Sequence, residues 1–400
     1  MLGPLNINLS EFGVSTENGF LPDVNPLPRL SAYVEWEDLV DEIPFLLKEG
    51  LFRQHADALP ILDTSIITPS DIKTLPGRLI PPRPSPTATY AALNLWNFTS
   101  SSPTQDLTDL DKLSCQHTFT NTPDESWFYL VSVAIEARGA EVIPLMIKAM
   151  NAVRSDEPEV LISCLENFSA CIKDCGIILE RMYEKCDPEV FYHIIRPFLA
   201  GSKNMSAAGL PRGVFYDEGN GSGEWRTYSG GSNAQSSLIQ FWDAVLGVKH
   251  VPTRPMGKPQ SETVEPKKGC HGFLEEMRNY MPGTHRAFLN QISEISPIHN
   301  YVDSSICSSS VTKAYNHAVE TLTEFRNIHI QIVTRYIINP SRKAMAQGTE
   351  KENAGLNLAV ATTKKGGKDV RGTGGTQLIP FLKQSRDETR NMTVNVVESP

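Results

Sequence analysis

Between Ser308 and Ile338, apolar side chains recur at Val311, Tyr315, Ala318, Leu322, Phe325, Ile332 and Tyr336. The spacing alternates between four and three, which is the repeat of one helix face, so a helix is predicted over 308–338. One member of the series is not a hydrophobe: four residues after Phe325 the stripe lands on His329. An imidazole on a core-facing stripe must be satisfied, because an unpaired polar group is costly once buried. Two readings fit. His329 is a core histidine bonded to a neighbouring backbone or side chain, or it is the axial ligand of a haem lying against the helix. Arg326, one turn back, is correspondingly a solvated or ion-paired arginine, or a contact for a haem propionate. A carboxylate is expected to orient a ligating imidazole. Asp243, alone in the apolar run FWDAVLGV, is the candidate.

The same helical periodicity governs most of the chain. A helix is predicted near 35–49, with Trp36, Leu39, Val40, Ile43 and Leu47 on one face, followed by a short one at 51–59. Residues 63–88 are rich in Thr, Ser and Pro and read as loop, and YAALNLWNF at 90–98 reads as a short apolar helix. Residues 99–125 read as loop, which places a domain boundary near 118. From 127 to 153 the pattern is one apolar helix with a kink at Pro144. Asp156 and Pro158 read as the cap and first-turn proline of the next helix, whose stripe is Leu161, Leu165, Phe168, Ile172, Cys175, Leu179 and Met182. Asp187-Pro188 starts another that ends near Ala200. After a Gly- and Ser-rich loop at 201–230, helices are expected near 233–247, 271–280 and 283–294. Residues 340–375 read as a mobile linker, and 376–388 as a last helix. Strand signals are scarce, so the fold class is all-α. The expected division is a small helical domain at 1–118 and a large helical one at 119–400.

Composition narrows the function classes. The 400 residues carry 37 Lys+Arg against 46 Asp+Glu, a net charge of −9. An acidic balance argues against nucleic acid as a partner. No apolar run approaches the roughly 18 residues that span a bilayer, and the N-terminus shows no secretory pattern. The expected location is the cytoplasm. The seven cysteines include no CxxC pair, so they read as reduced, buried packing residues rather than a zinc site.

Four further features carry chemistry. Gly230-Gly231-Ser232-Asn233 opens a loop that lets backbone approach a ligand closely, without the Gly-Lys-Ser/Thr ending of a P-loop. Gly372-Thr373-Gly374-Gly375 is a second such loop. Taken singly, such a loop is more often a flexible turn than a site. Tyr192 and Arg196 are four apart and share a helix face, so an aromatic and a guanidinium could hold a planar ring and a carboxylate together. Ser132 is a lone hydroxyl in FYLVSVAIE, where a serine ordinarily bonds back to its own helix.

Together these segments resemble the indoleamine 2,3-dioxygenase family. GGSNAQSSLIQ (230–240), FLEEMRNYMPGTHR (273–286), FRNIHIQIVTRYI (325–337) and RGTGGTQL (371–378) are similar to its signatures and stand in its order. The resemblance implies haem b as cofactor and His329 as the proximal iron ligand. It implies Asp243 behind that ligand, with Arg326 on a propionate or on that carboxylate. Gly231, Ser232 and Asn233 would border haem and substrate. Arg196, aided by Thr373 and Gly374, would bind the tryptophan carboxylate. Tyr90, Leu93, Phe128, Ser132, Phe191 and Tyr192 would line the indole pocket. The implied reaction joins O₂ to L-tryptophan or a related indoleamine across the indole C2–C3 bond. The product is N-formylkynurenine, the first of the kynurenine route toward NAD. The enzyme would be a monomer supplied by a reductant the sequence does not name.

One departure stands out. Family members carry a further apolar helical stretch before the segment matching YAALNLWNF, whereas here Thr74–Pro82 runs almost directly into it. Several dozen residues of the small domain are thus expected to be missing. That raises the alternative of a haem-binding protein with little or no catalysis.

Overall fold

The computed structural model describes residues 5–23, 34–59, 87–102, 106–203, 205–206, 209–219, 222–252, 272–304, 307–347, 372–373 and 376–396. The shortened stretch at 74–82 and most of the 340–375 linker lie outside them.

The fold is all-α. Helices α1 (Val34–Lys48) and α2 (Phe52–Ala58) come first, then α3 (Pro123–Arg138), α4 (Val142–Ser155) and α5 (Pro158–Glu180). The second half holds α6 (Ser237–Leu246), α7 (Gly283–Ile295), α8 (Ser309–Val333), α9 (Asn339–Gln347) and α10 (Leu378–Arg390). Two small antiparallel hairpins accompany them, β1 (Phe98–Ser100) with β2 (Leu113–Cys115) and β3 (Val214–Gly219) with β4 (Ser222–Arg226). Both regions read as loop in the sequence, because their strands are too short to show a period of two. Among the described residues no helix is long and apolar enough to cross a membrane.

Local chemistry sets the helix ends. Thr122 caps α3 by accepting from the Glu125 N–H, with Pro123 in the first turn. Ser236 caps α6 on Ile239, and Ser308 caps α8 on Val311. The predicted helix over 127–153 is two helices that break at Gly139. A Cβ there would meet Leu238 at 2.2 Å, so the glycine marks where α6 presses on the turn. Pro144 therefore falls in the first turn of α4, where its missing N–H costs nothing, and produces no kink. Asp156 does not cap α5. It closes α4 in a left-handed conformation (φ 57°), and Glu157 precedes Pro158 as the start of α5.

Helix α5 runs through the middle of the core, with Leu161, Leu165, Phe168, Ile172 and Cys175 fully buried. Side chains of this size contribute about 1.5–3 kcal/mol each on burial. Cys171 and Cys175 donate to the carbonyls of Arg138 and Ile135, tying α5 to α3 as packing residues. Among the described residues every cysteine is a free thiol. Gly176 brings α8 close, since a Cβ at that position would meet Ile328 at 3.2 Å. Helix α8 ends at Val333, and helical structure continues through a π-turn at Thr334–Ile338 into α9 as far as Gln347, inside the stretch predicted as linker.

Candidate active site

Three π-turns among the described residues surround one cavity: Ala91–Leu95, Phe191–Ile195 and Thr334–Ile338. A π-turn adds a residue to the helical turn and rotates the helix beyond it. It therefore changes which side chains share a face. The turn at 191–195 explains a difference from the sequence expectation. Arg196 donates its backbone N–H to Phe191, five residues back, and it is Phe191 and Arg196 that line the cavity together. Tyr192 is buried and stays beside Arg196, ring centroid 5.6 Å from the guanidinium carbon, but is not part of the cavity wall.

One wall is apolar. Tyr90, Leu93, Phe128 and Ser132 stand on it, with Phe191 packed on Phe128 at 4.9 Å between centroids. The Tyr90 hydroxyl points away, donating to Glu136 Oε1 at 2.9 Å, and Ser236 donates to the same oxygen at 2.7 Å. Ser132 lies by the Tyr90 hydroxyl rather than bonding back to its own helix. Glu136 is 1% exposed; burial pushes its carboxyl up to about 7, although the two hydroxyls oppose that rise. Sequence reasoning missed Glu136. The signal available was a lone acid closing the apolar run of α3.

His329 lines the same cavity and is half-buried. Among the described residues no hydrogen bond reaches it. Burial, then the nearby Arg326 charge, holds its pKa down to about 4. The imidazole is thus neutral at physiological pH, with a lone pair to offer. A core histidine bonded to a neighbour does not describe it. Asp243 does not reach it either. That carboxylate takes both its oxygens to Arg326, at 2.5 and 2.7 Å, and accepts from His250 at 3.0 Å. Burial alone would raise the Asp243 pKa; Arg326 and His250 outweigh it and bring it to about 2. Arg326 itself is on the cavity wall.

The glycine loop lines the cavity as well. Gly231, Ser232 and Asn233 border the cavity. A Cβ on Gly230 would meet the Leu199 carbonyl at 2.0 Å, so only glycine lets this backbone pass. Thr373 stitches the C-terminal segment onto the loop: its hydroxyl donates to the Gly231 carbonyl at 2.7 Å and its carbonyl accepts from Gly230 at 3.2 Å. Gln235 bonds the Gly230 carbonyl and the Tyr90 N–H, closing the loop onto the first wall. Gly374 lies outside the described residues. Arg196 enters from the side, 2% exposed, its pKa lowered by burial.

Comparison with known proteins decides what this arrangement belongs to. Residues 8–74 and 83–392 match the family model for indoleamine 2,3-dioxygenase. The chain belongs to the indoleamine 2,3-dioxygenase family. It is 37% identical to an indoleamine 2,3-dioxygenase of Aspergillus nanangensis over 98% of each chain. It is 37% identical to that of Saccharomyces cerevisiae over 95% of this chain and 92% of the relative. A 6-hydroxytryptophan 2,3-dioxygenase of Fusarium equiseti is 32% identical, over 96% and 97%. The family match is interrupted at 75–82, inside the stretch where the sequence leads one to expect a shortened small domain.

The chain is therefore a haem dioxygenase. Its residues fit the cofactor. Among the described residues no cluster of three or more His, Cys, Asp or Glu side chains could hold a bare metal ion. A single unbonded imidazole lining an apolar cavity suits an iron whose other donors come from a macrocycle. Arg326 lines the same cavity, and its Nε is buried without a hydrogen-bond partner among the described residues. A guanidinium left with a spare donor there suits the carboxylate of a bound group.

Proposed function

We propose that this family member cleaves the indole C2–C3 bond of L-tryptophan, or of a ring-substituted tryptophan, with O₂, giving the N-formylkynurenine skeleton that opens tryptophan catabolism. The observation that carries the reading is the meeting in one cavity of a buried guanidinium, Arg196, the aromatic side chains Tyr90, Phe128 and Phe191, and a neutral imidazole, His329. An α-amino acid with a flat, apolar side chain matches both the guanidinium and the aromatic side chains. The haem binder without catalysis is disfavoured by the 37% identity to an Aspergillus indoleamine 2,3-dioxygenase that runs along nearly the whole of both chains.

When bound, haem supplies O₂ activation and the redox chemistry; the protein supplies a ligand, a dry cavity and substrate orientation. His329 would hold the iron through a ring nitrogen, since no hydrogen bond reaches the imidazole among the described residues. Arg196 would take the substrate carboxylate. A desolvated guanidinium binds a carboxylate more strongly than an exposed one. Phe128 and Phe191, packed on each other, would form one surface for the indole, and the small Ser132 leaves room for the reacting edge. Thr373 has spent its proton on Gly231. Its remaining lone pairs accept, so it suits the substrate ammonium better than the carboxylate. No side chain on the apolar wall is placed to act as a strong base, since Tyr90 and Ser236 are both tied to Glu136. Holding the bound substrate still accounts for the protein's part of the rate. We place the reaction in the cytoplasm and assign it to a monomer.

The test is direct. Haem-reconstituted protein should show a Soret band and, once reduced, convert L-tryptophan to N-formylkynurenine in the presence of O₂. His329→Ala should lose the wild-type Soret position and the turnover. Haem binding of wild-type character by His329→Ala would overturn the ligand assignment. A loaded, reduced wild type that turns over neither tryptophan nor its hydroxylated forms would overturn the substrate.

A further inference from the structure

Behind Arg326 lies a chain of charges longer than an arginine and its carboxylate. The Gly247 turn (φ 78°) that ends α6 brings His250 back over the helix. Its Nε2 is 3.0 Å from Asp243 Oδ2 and its Nδ1 is 2.6 Å from Glu388 Oε2 on α10. Glu388 is held further by Gln384 at 2.7 Å and by the Val251 N–H at 3.1 Å. Arg326 reaches α10 as well, donating to Ser385 at 2.9 Å. Every member is largely enclosed: the side chains of His250, Asp243, Glu388 and Arg326 are 11, 7, 15 and 13% exposed.

The geometry fixes the charge of His250. A neutral imidazole has one N–H, so its other nitrogen would aim a lone pair at a carboxylate oxygen. With a carboxylate on each side, both nitrogens must donate. His250 is an imidazolium, and the row Arg326⁺, Asp243⁻, His250⁺, Glu388⁻ balances. Burial alone would lower the His250 pKa; Asp243 and Glu388 outweigh it and raise it above the usual value. Arg326 opposes that rise, and it is the cation from α8 that faces this group.

We propose that His250 and Glu388 are positioning residues for the cavity edge: by drawing Asp243 from behind, the imidazolium leaves Arg326 with uncompensated positive charge toward an anionic group of the bound cofactor. When His250 loses its proton, Asp243 is left to Arg326 alone and the buried row becomes net negative. Arg326 then holds a carboxylate on the cavity side less well. The proposal rests on the haem reading for its consequence and not for the row itself.

The test measures haem release to an excess of apomyoglobin in the holoenzyme, from about pH 6 to about pH 9, where an imidazole of raised pKa titrates. Wild type should release haem about tenfold faster at the upper end, a change that corresponds to about 1.4 kcal/mol. His250→Gln should be fast at every pH, and His250→Lys, which keeps a cation, slow at every pH. Glu388→Gln should move the wild-type rise to lower pH, because His250 loses one stabilising carboxylate. A merely structural role would give parallel profiles. Urea unfolding of the apoprotein is the independent arm. A histidine with raised folded pKa stabilises below its unfolded pKa, and that stability is lost as pH rises through the folded value. The difference between wild type and His250→Gln should therefore shrink with rising pH. Parallel apoprotein curves would overturn the row. Divergent apoprotein curves with parallel haem-release profiles would overturn its reach to the cavity. No Soret band in the wild type would remove the haem reading while leaving the apoprotein result to stand.

Discussion

Replacing Glu136 by glutamine should remove most of one component of the pH dependence of stability. Glu136 is 1% exposed, and its Oε1 accepts from Tyr90 and Ser236 while Oε2 has no partner among the described residues. Burial moves this carboxyl from 4.5 to about 7. A change of that size corresponds to roughly 3 kcal/mol. The sign comes from proton counting. Between about pH 5 and about pH 7 the folded chain keeps a proton that the unfolded chain has released, so stability falls as pH rises. Glutamine keeps the acceptor that Tyr90 and Ser236 use and cannot ionise. Its amide, replacing an oxygen without a partner, costs about 1 kcal/mol of lost hydration. Glu136→Gln should therefore be slightly less stable than wild type near pH 5 and more stable by about 2 kcal/mol near pH 8. Urea unfolding of the apoproteins across that range measures it. His285 and His329, both held down to about 4 by burial, contribute the opposite slope, but they do so in both proteins and cancel in the difference. Parallel curves for the two proteins would refute a buried, protonated Glu136.

The cavity yields two further expected outcomes. Arg196→Lys should raise the KM for tryptophan about tenfold to a hundredfold while leaving the Soret band unchanged, since a point charge cannot replace a planar two-point contact; steady-state kinetics and a haem titration check it. Thr373→Val should cost about 1 kcal/mol through the lost bond to Gly231. Limited proteolysis of the C-terminal segment should then be faster without a change in the α-helical spectrum.

How much of this is legible from residue order depends on the kind of interaction. The stripe that ends in His329 is a local pattern, and its helix forms as the spacing requires. The proline and capping signals at Thr122–Pro123 and Asp187–Pro188 are equally readable. The glycine loops are visible, but not that Thr373 sews one to the other across 142 positions. The hairpins are hidden because their strands are short. The break at Gly139 is hidden because a contact with Leu238, a distant residue, causes it.

Residue order alone was enough for an all-α chain, a histidine on a core stripe, an arginine beside it and the family to which they belong. What those groups do was settled by contacts between distant segments. Folding separated Tyr192 from the cavity and joined Phe191 to Arg196 through a π-turn, a change of phase that a fixed period cannot express. It gave Asp243 to Arg326 and His250 instead of His329, and it drew Glu388 into the same row from 138 residues away from His250. Helical period is a property of neighbours along the chain. Charge pairing and pKa are properties of neighbours in space, where the low dielectric of the interior makes each buried partner count.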